Sequence, residues 1–181
     1  MAHYITTHDA YGNAIFFSPK AAASTGPDSQ QQHSMPIPIG DIRIISSSHQ
    51  SPPTLSNESD IEQYYQRDRI SPFFPGERRI CPDNGTAACI ISMAPGAGGG
   101  GMHRTMTLDT VVVVEGEVEI TLDSGEMRTL RTGDSLLQRG TMHKWRNVTP
   151  DEGWARWVCF IQAAAGPVKV GDRVLDNEWI H

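Results

Sequence analysis

Residues 101–147 decide the fold of this chain and read GMHRTMTLDTVVVVEGEVEITLDSGEMRTLRTGDSLLQRGTMHKWRN. Short runs rich in valine, isoleucine and threonine alternate here with tight turns at Glu115-Gly116, Asp123-Ser-Gly125 and Thr132-Gly-Asp134. Strand-forming residues bounded by such turn residues are typical of antiparallel β structure. This stretch therefore predicts a series of hairpin-connected strands.

The β pattern continues on both sides of this stretch. TAACIISM at 86–93 and ARWVCFIQA at 155–163 are two further runs of strand-forming residues. Closely spaced short strands favour a sandwich or small barrel over βαβ units. The sequence therefore predicts an all-β fold, with a barrel core over residues 86–165.

The two ends of the chain are predicted to frame this core. Residues 1–85 are interpreted as an N-terminal extension that packs on the barrel. It contains a hairpin over 5–17, polar loops, a strand over 37–46 and a short helix over 61–69. Residues 166–181 are interpreted as one more strand followed by a surface tail.

Size and charge limit the classes of partner. The 181 residues suit a single domain, and the net charge of −6 comes without a lysine or arginine cluster. Nucleic acids and anionic membranes are bound mainly through basic patches, so neither is expected as a partner. A small-molecule substrate is expected instead.

The sequence also predicts a cytoplasmic protein. No window reaches the roughly 18 apolar residues of a membrane span, and the N-terminus lacks the basic and apolar regions of a leader. Cys81, Cys89 and Cys159 are an odd number without CxxC spacing, which fits a reducing compartment. Cys159 is predicted to be an inert buried thiol.

The side chains that can do chemistry fall on predicted strands. Side chains alternate faces along a strand, so an unbroken strand would place on one face His103, Thr105, Thr107, Asp109, Val111 and Val113. By the same rule His143, Trp145 and Asn147 share a face of a second strand. Arg104, Lys144 and Arg146 alternate with these positions and are predicted to point outward into solvent.

If the two strands face each other, three candidate catalytic residues converge: His103, Asp109 and His143. Two imidazoles and one carboxylate with open positions form an arrangement that holds non-haem iron or catalytic zinc. Gln138 is a candidate fourth ligand through its amide oxygen. Without a metal, a histidine would move a proton while Asp109 orients its ring.

A substrate wall is predicted around this point. Its candidate substrate-binding residues are Thr105, Val111, Val113, Leu136, Gln138 and Trp145. Each candidate also has a structural interpretation. Either histidine would be a satisfied polar residue of the barrel, Asp109 a turn cap, Gln138 a polar strand end and Trp145 a core residue.

Two spaced motifs carry a resemblance to the cupin superfamily, and more closely to single-domain cupins of bacteria and fungal secondary-metabolite gene clusters. The first cupin motif is matched in spacing by His103, Thr105, Asp109 and Gly116. The second is matched by Gly133, Gly140, His143 and Asn147. The resemblance covers about residues 86–165 and implies a jelly-roll β-barrel with extra N-terminal strands, often a homodimer.

The resemblance also marks two departures. Family members with a full metal site carry a second histidine where Thr105 stands and a glutamate where Asp109 stands. The site is therefore expected either to hold one divalent metal (zinc, iron, manganese or nickel) or to work metal-free.

Three functions follow as hypotheses. The first is a tailoring enzyme that decarboxylates, dehydrates or isomerises a polyketide-like or aromatic metabolite by acid–base chemistry. The second is a metal-dependent dioxygenase of the cupin type. The third is a cupin that binds a ligand without catalysis.

Overall fold

The computed structural model describes residues 2–18, 34–65, 80–98 and 101–180. One short helix, α1 (Ser59–Tyr65), follows a 3₁₀ turn at Ser56–Glu58. The strands of the described chain are, in order, β1 (Thr6–His8), β2 (Ala14–Phe16), β3 (Ser34–Ile37), β4 (Gly40–Ser48), β5 (Thr86–Met93), β6 (Met102–Arg104), β7 (Thr107–Glu115), β8 (Glu117–Leu122), β9 (Met127–Arg131), β10 (Ser135–Arg139), β11 (His143–Asn147), β12 (Ala155–Ala163), β13 (Val168–Val170), β14 (Arg173–Leu175) and β15 (Glu178–Ile180).

Two antiparallel sheets form the body of the molecule. The six-stranded sheet has the order β10-β7-β12-β5-β4-β3, and the five-stranded sheet has the order β15-β6-β11-β8-β9. Their inner faces enclose the hydrophobic core, in which Trp157, Ile44 and Met93 are almost completely buried. The all-β jelly-roll prediction is confirmed. No helix in the described part of the chain is long and apolar enough to cross a membrane.

Strand β7 shows why the sequence pattern predicts this fold. Val111 and Val113 are buried, whereas Leu108 and Val114 on the alternate positions are exposed. Alternation of this kind buries one face of a strand and leaves the other in water. β5 and β12 have the predicted bounds and pair along their length.

The strand predicted to run unbroken from residue 103 to residue 113 is interrupted. β6 ends at Arg104 in the five-stranded sheet, and β7 begins at Thr107 in the six-stranded sheet. Thr107 N donates to Thr105 O over 2.8 Å at the corner between them. Alternation along one strand therefore does not relate His103 to Asp109, which lie on opposite sheets.

The N-terminal region contributes strands to the larger sheet. The predicted hairpin is confirmed as β1 and β2, whereas the single strand predicted over 37–46 is two strands, β3 and β4. β4 pairs along β5, and Tyr64 Oη of α1 donates to Ile44 O over 3.0 Å. Residues 66–69 of the predicted helix lie outside the described residues, and the predicted domain boundaries stay predictions.

The C-terminal region is more structured than the predicted single strand and surface tail. β13 and β14 form a hairpin, and β15 joins the five-stranded sheet beside β6. Arg104, predicted to be solvated, is buried beneath this segment and pairs with Glu178 over 3.2 Å. The outward face of β6 is covered because the chain returns to it 74 positions later.

Asn147 ties the end of β11 to two loops. Its buried Nδ2 lies within hydrogen-bond distance of Met93 O, Ala94 O and Gly153 O at 3.2, 2.9 and 2.9 Å. Its Oδ1 accepts from Thr149 N over 2.9 Å.

We expect Asn147→Ala to lower the free energy of unfolding by about 3 kcal/mol, because buried carbonyls lose their donor. Urea denaturation measures the change, with exposed Lys144→Ala in the same strand as the control. Equal destabilisation by both substitutions would contradict the prediction.

Candidate active site

A cavity of about 530 Å³ lies between the two sheets. The two sheets contribute different chemistry to its lining. The five-stranded sheet contributes imidazole and indole rings, from His103, His143, Trp145 and Trp179. The six-stranded sheet contributes a carboxylate among apolar, aromatic and thiol side chains, including Asp109, Val111, Trp157 and Cys159. All three candidate catalytic residues therefore line one cavity.

His103 and His143 form a pair on adjacent strands. They are directly opposite each other in the register of β6 and β11, and their ring centroids are 4.4 Å apart. His103 Nδ1 lies 3.1 Å from Gly101 O, and His143 Nδ1 lies 2.9 Å from Thr141 O. A ring that donates its Nδ1–H to a carbonyl carries a lone pair on Nε2. Both rings thus offer an Nε2 acceptor to a ligand.

Gln138 holds the loop that leads to His143. Its Nε2 donates to Thr141 O over 2.9 Å, also contacts Thr141 Oγ1, and lies 2.9 Å from His143 Nδ1. The amide nitrogen, not the oxygen predicted as a ligand, faces the imidazole. Gln138 is therefore a positioning residue for His143.

Both histidines are neutral at neutral pH. Burial lowers the pKa of His143 to about 4, His103 beside it acts in the same direction, and the Thr141 carbonyl opposes the shift. Burial likewise lowers the pKa of His103, against the Gly101 carbonyl. A neutral imidazole whose Nδ1–H is donated accepts hydrogen bonds at Nε2, and the pKa of His143 is low enough to make this ring a weak proton carrier near neutral pH.

Asp109 is a buried carboxyl without a partner for one of its oxygens. Its Oδ1 is buried and has no hydrogen-bond partner among the residues that the structure describes. Burial raises the pKa of Asp109 to about 6, and the nearby Thr107 hydroxyl opposes the shift. Asp109 makes no hydrogen bond to His103 or His143, so its predicted role as the group that orients a histidine is wrong.

The predicted metal ligands do not all lie together in the structure. His103 and His143 lie side by side, but in the described part of the chain no three His, Cys, Asp or Glu side chains are grouped closely enough to hold a metal ion. The arrangement does not fit a metal held by all four predicted ligands. Metal binding stays a prediction.

The predicted substrate wall is only partly the wall of the cavity. Thr105, Val111 and Trp145 line it, as does Gln138. Val113 and Leu136 are absent from its described lining: Val113 is buried in the core, and Leu136 packs against that core. Both lie further along their strands, where packed side chains fill the space between the sheets.

Trp179 is a site residue that the sequence reasoning missed. Its ring stacks on His103 at a centroid distance of 4.3 Å and an angle of 20°. Trp179 is also directly opposite His103 in the register of β15 and β6. No local pattern predicts this contact, because it depends on pairing between distant segments.

Cys89 and Cys159 face each other across β5 and β12 and are buried, as predicted for Cys159. The neighbouring Cys89 thiol and burial both raise the pKa of Cys159, so this thiol stays protonated. A protonated thiol is a poor nucleophile and a poor metal ligand.

Gly101 allows the C-terminal strand to approach β6. A Cβ at this position would meet Ile180 O and would lie 2.7 Å from Trp179 Nε1. We expect Gly101→Ala to displace β15, because a backbone carbonyl cannot move aside without breaking the pairing.

The measurements are loss of amide-exchange protection in β6 and β15 and a red shift of tryptophan emission. A destabilisation of about 1–3 kcal/mol should accompany them. Gly166→Ala is the control, since nothing lies within 4 Å of its added Cβ. Retained protection in Gly101→Ala would show that β15 tolerates the methyl group.

Comparison with known proteins identifies the family. A family model described as a cupin domain matches residues 89–161. Phomopsin biosynthesis cluster protein C' of Diaporthe leptostromiformis is 34% identical over 176 residues, covering 95% of this chain and 82% of that protein. The cupin-domain-containing oxidoreductase srdB of Neurospora crassa is 38% identical over 158 residues, covering 84% of this chain and 68% of its own. The chain belongs to the cupin domain family, as its motifs indicate.

Among solved structures, a cupin superfamily sugar phosphate isomerase from Silicibacter pomeroyi matches with a TM-score of 0.38 and 22% identity. The match covers 44% of this chain and 51% of that one.

Proposed function

We propose that this cupin is a secondary-metabolism tailoring enzyme that moves a proton on a small molecule held between its two sheets. Relatives named as a biosynthesis cluster protein and as cupin-domain-containing oxidoreductases support the pathway context. The reaction itself is inferred from the cavity.

The buried carboxyl of Asp109, whose Oδ1 has no hydrogen-bond partner among the described residues, carries the proposal. A general acid or base works best when its pKa lies near the working pH, and burial raises the pKa of Asp109 to about 6. Both protonation states are then accessible near neutrality. Burial without a compensating hydrogen bond on Oδ1 costs stability, which is typical of a functional group.

The two histidines have a different role in this proposal. Their Nε2 atoms accept hydrogen bonds from a substrate hydroxyl and hold the substrate across the cavity from Asp109. The Thr141 carbonyl accepts the Nδ1–H of His143 and keeps this ring in the orientation that this requires, while Gln138 Nε2 donates to the same carbonyl. Asp109 therefore replaces histidine as the expected proton carrier.

Isomerisation and dehydration both suit this arrangement. In an isomerisation, Asp109 takes a proton from one carbon, the double bond shifts, and the Asp109 carboxyl, after exchanging its proton with solvent, delivers a proton to another carbon. In a dehydration, the C–H bond breaks, the electron pair forms the double bond, and the hydroxyl leaves with a proton as water. Neither reaction consumes an oxidant or a reductant.

The test uses the producing organism with this gene deleted, which should accumulate the substrate. Purified protein is incubated with its extract without oxygen in D₂O. We expect one compound to be replaced by an isomer or by a product lacking water, with solvent deuterium incorporated where a C–H bond forms. Asp109→Asn should abolish the change, whereas Asp123→Asn, an exposed carboxylate, should not.

A metal-dependent dioxygenase is the second candidate, because relatives carry the name oxidoreductase and two imidazoles lie side by side. Stoichiometric iron, oxygen consumption and a product that gains oxygen would establish it and reject proton transfer. A ligand that co-purifies unchanged, with no compound consumed, would favour the binding-only cupin.

A further inference from the structure

The charge of the cavity lining restricts its ligands. Among the described residues that line it there is no lysine or arginine, whereas Asp83, Asp109 and Asp176 contribute carboxylates. An anionic ligand would lose its hydration here without gaining an opposite charge. It would also be repelled by the buried Asp109. The cavity therefore disfavours carboxylates and phosphates.

Five aromatic rings in contact line the cavity, four on the five-stranded sheet and one, Trp157, on the six-stranded sheet. His103 stacks on Trp179 and lies 4.4 Å from His143 between centroids. His143 meets Trp145 edge-on at 5.8 Å, and Trp145 stacks on Trp157 at 5.3 Å. A continuous row of rings offers stacking and edge-to-face contacts to a planar ligand. Saturated ligands of irregular shape gain less from it.

Where the two histidines and Asp109 line the cavity, three groups can accept a hydrogen bond. They are the imidazoles of His103 and His143 and the carboxyl of Asp109. The hydroxyls of Thr105 and Thr107 lie 2.8 Å apart, so one of them donates its proton to the other. A ligand that satisfies the three acceptors must bring its own O–H donors. Buried acceptors left unpaired would reject an analogue that lacks them.

From these three features we infer that the pocket takes an uncharged, planar aromatic compound that carries at least one hydroxyl group. This inference rests on the proposed function and narrows its substrate class. The cavity of about 530 Å³ suits a ligand of two or three fused or linked rings. Of decarboxylation, dehydration and isomerisation, the decarboxylation of a free acid is disfavoured, because its substrate is an anion at neutral pH.

The test measures binding, so it does not depend on turnover. Titration calorimetry at pH 7.5 with the full chain compares 2-naphthol, 2-naphthoate and naphthalene. These probes share a ring system and differ in hydroxyl and charge. We expect 2-naphthol to bind at least about tenfold more tightly than either other probe.

The inference would be overturned by naphthoate binding as tightly as naphthol, or by no binding of naphthol at all. Naphthalene binding as tightly as naphthol would refute the hydroxyl requirement.

Two cavity variants, each with an exposed control, identify the residues that determine ligand selectivity. Asp109→Asn should tighten naphthoate binding by about tenfold, while Asp123→Asn, an exposed carboxylate, should leave it unchanged. Trp145→Leu should weaken naphthol binding about tenfold, while exposed Trp154→Leu should not. Near-ultraviolet circular dichroism confirms that each variant is folded. Equal effects of the cavity variants and their controls would place the binding outside the cavity.

If naphthol binds as expected but no pathway compound is converted, the substrate class stands and the proposed reaction fails. If conversion occurs on an anionic substrate, the proposed reaction stands and the substrate class fails.

Discussion

Asp109→Asn is expected to lose about 10²–10⁴-fold in turnover while gaining stability at neutral pH. The loss follows because an amide cannot accept and return a proton in place of the carboxyl. The gain follows because the buried, unpartnered carboxylate is removed from a site that disfavours its charge. Opposite changes in activity and stability are the mark of a functional residue.

The pH dependence of this gain has a definite sign. The folded pKa of Asp109 is about 6, above its ordinary value of 3.8, so the folded protein binds more protons than the unfolded chain in that interval. The ionisation of Asp109 therefore lowers the free energy of unfolding of the wild type by about 3 kcal/mol as pH rises from 4 to above 6. Asp109→Asn has no carboxyl to ionise, so its stability relative to the wild type increases over the same pH range.

Chemical denaturation at pH 4, 5, 6 and 8 measures the difference between variant and wild type. Exposed Asp123→Asn is the matched control and should show no such trend. A difference that stays constant from pH 4 to pH 8 would falsify the buried ionisation of Asp109.

His143→Asn is expected to show the reverse pH dependence. The folded pKa of His143 is about 4, below its ordinary value of 6.5, so the unfolded chain binds more protons between these values. In the wild type, the free energy of unfolding is unaffected by this group above pH 6.5 and falls by about 3 kcal/mol as pH falls to 4. The variant lacks that loss, so it becomes relatively more stable as the solution is acidified.

Asparagine suits this position because its Nδ2 can replace Nδ1–H as the donor to Thr141 O, while the Nε2 acceptor is lost. Turnover should fall by about 10²-fold or more. The control is His8→Asn, an exposed histidine of β1. Unchanged turnover in His143→Asn would remove this imidazole from the mechanism.

In the wild type, the effects of Asp109 and His143 on the pH dependence of stability nearly cancel. Asp109 weakens the fold as pH rises from about 4 to 6, and His143 strengthens it over nearly the same range. Each single variant exposes the contribution of the other group. The double variant should have a flatter profile than either single variant.

The sequence predicts the strands of this fold well, because burial and turn chemistry act locally. Val111 and Val113 alternate with exposed neighbours on β7, and β5 and β12 have the bounds that their composition predicts. The cavity position of His103, Asp109 and His143 also follows from motif spacing. The prediction of these features rests only on short-range sequence patterns and on the resemblance to cupins.

What the sequence does not predict depends on contacts between distant segments. The interruption after Arg104 places His103 and Asp109 on opposite sheets, so strand alternation gave the wrong reason for their convergence. Burial of Arg104 and stacking of Trp179 both require β15 to return to β6. The orientation of the Gln138 amide is likewise set by Thr141 and not by its own strand.

The pairing of β15 with β6 has a consequence for how the protein matures during synthesis. β6 is three residues long, and one of its two neighbours is made 74 positions later. Until that neighbour emerges from the ribosome, the strand bearing His103 has an open edge, and long-range pairing of this kind forms slowly. The capacity to retain a ligand should therefore appear only after β15 has emerged and paired with β6.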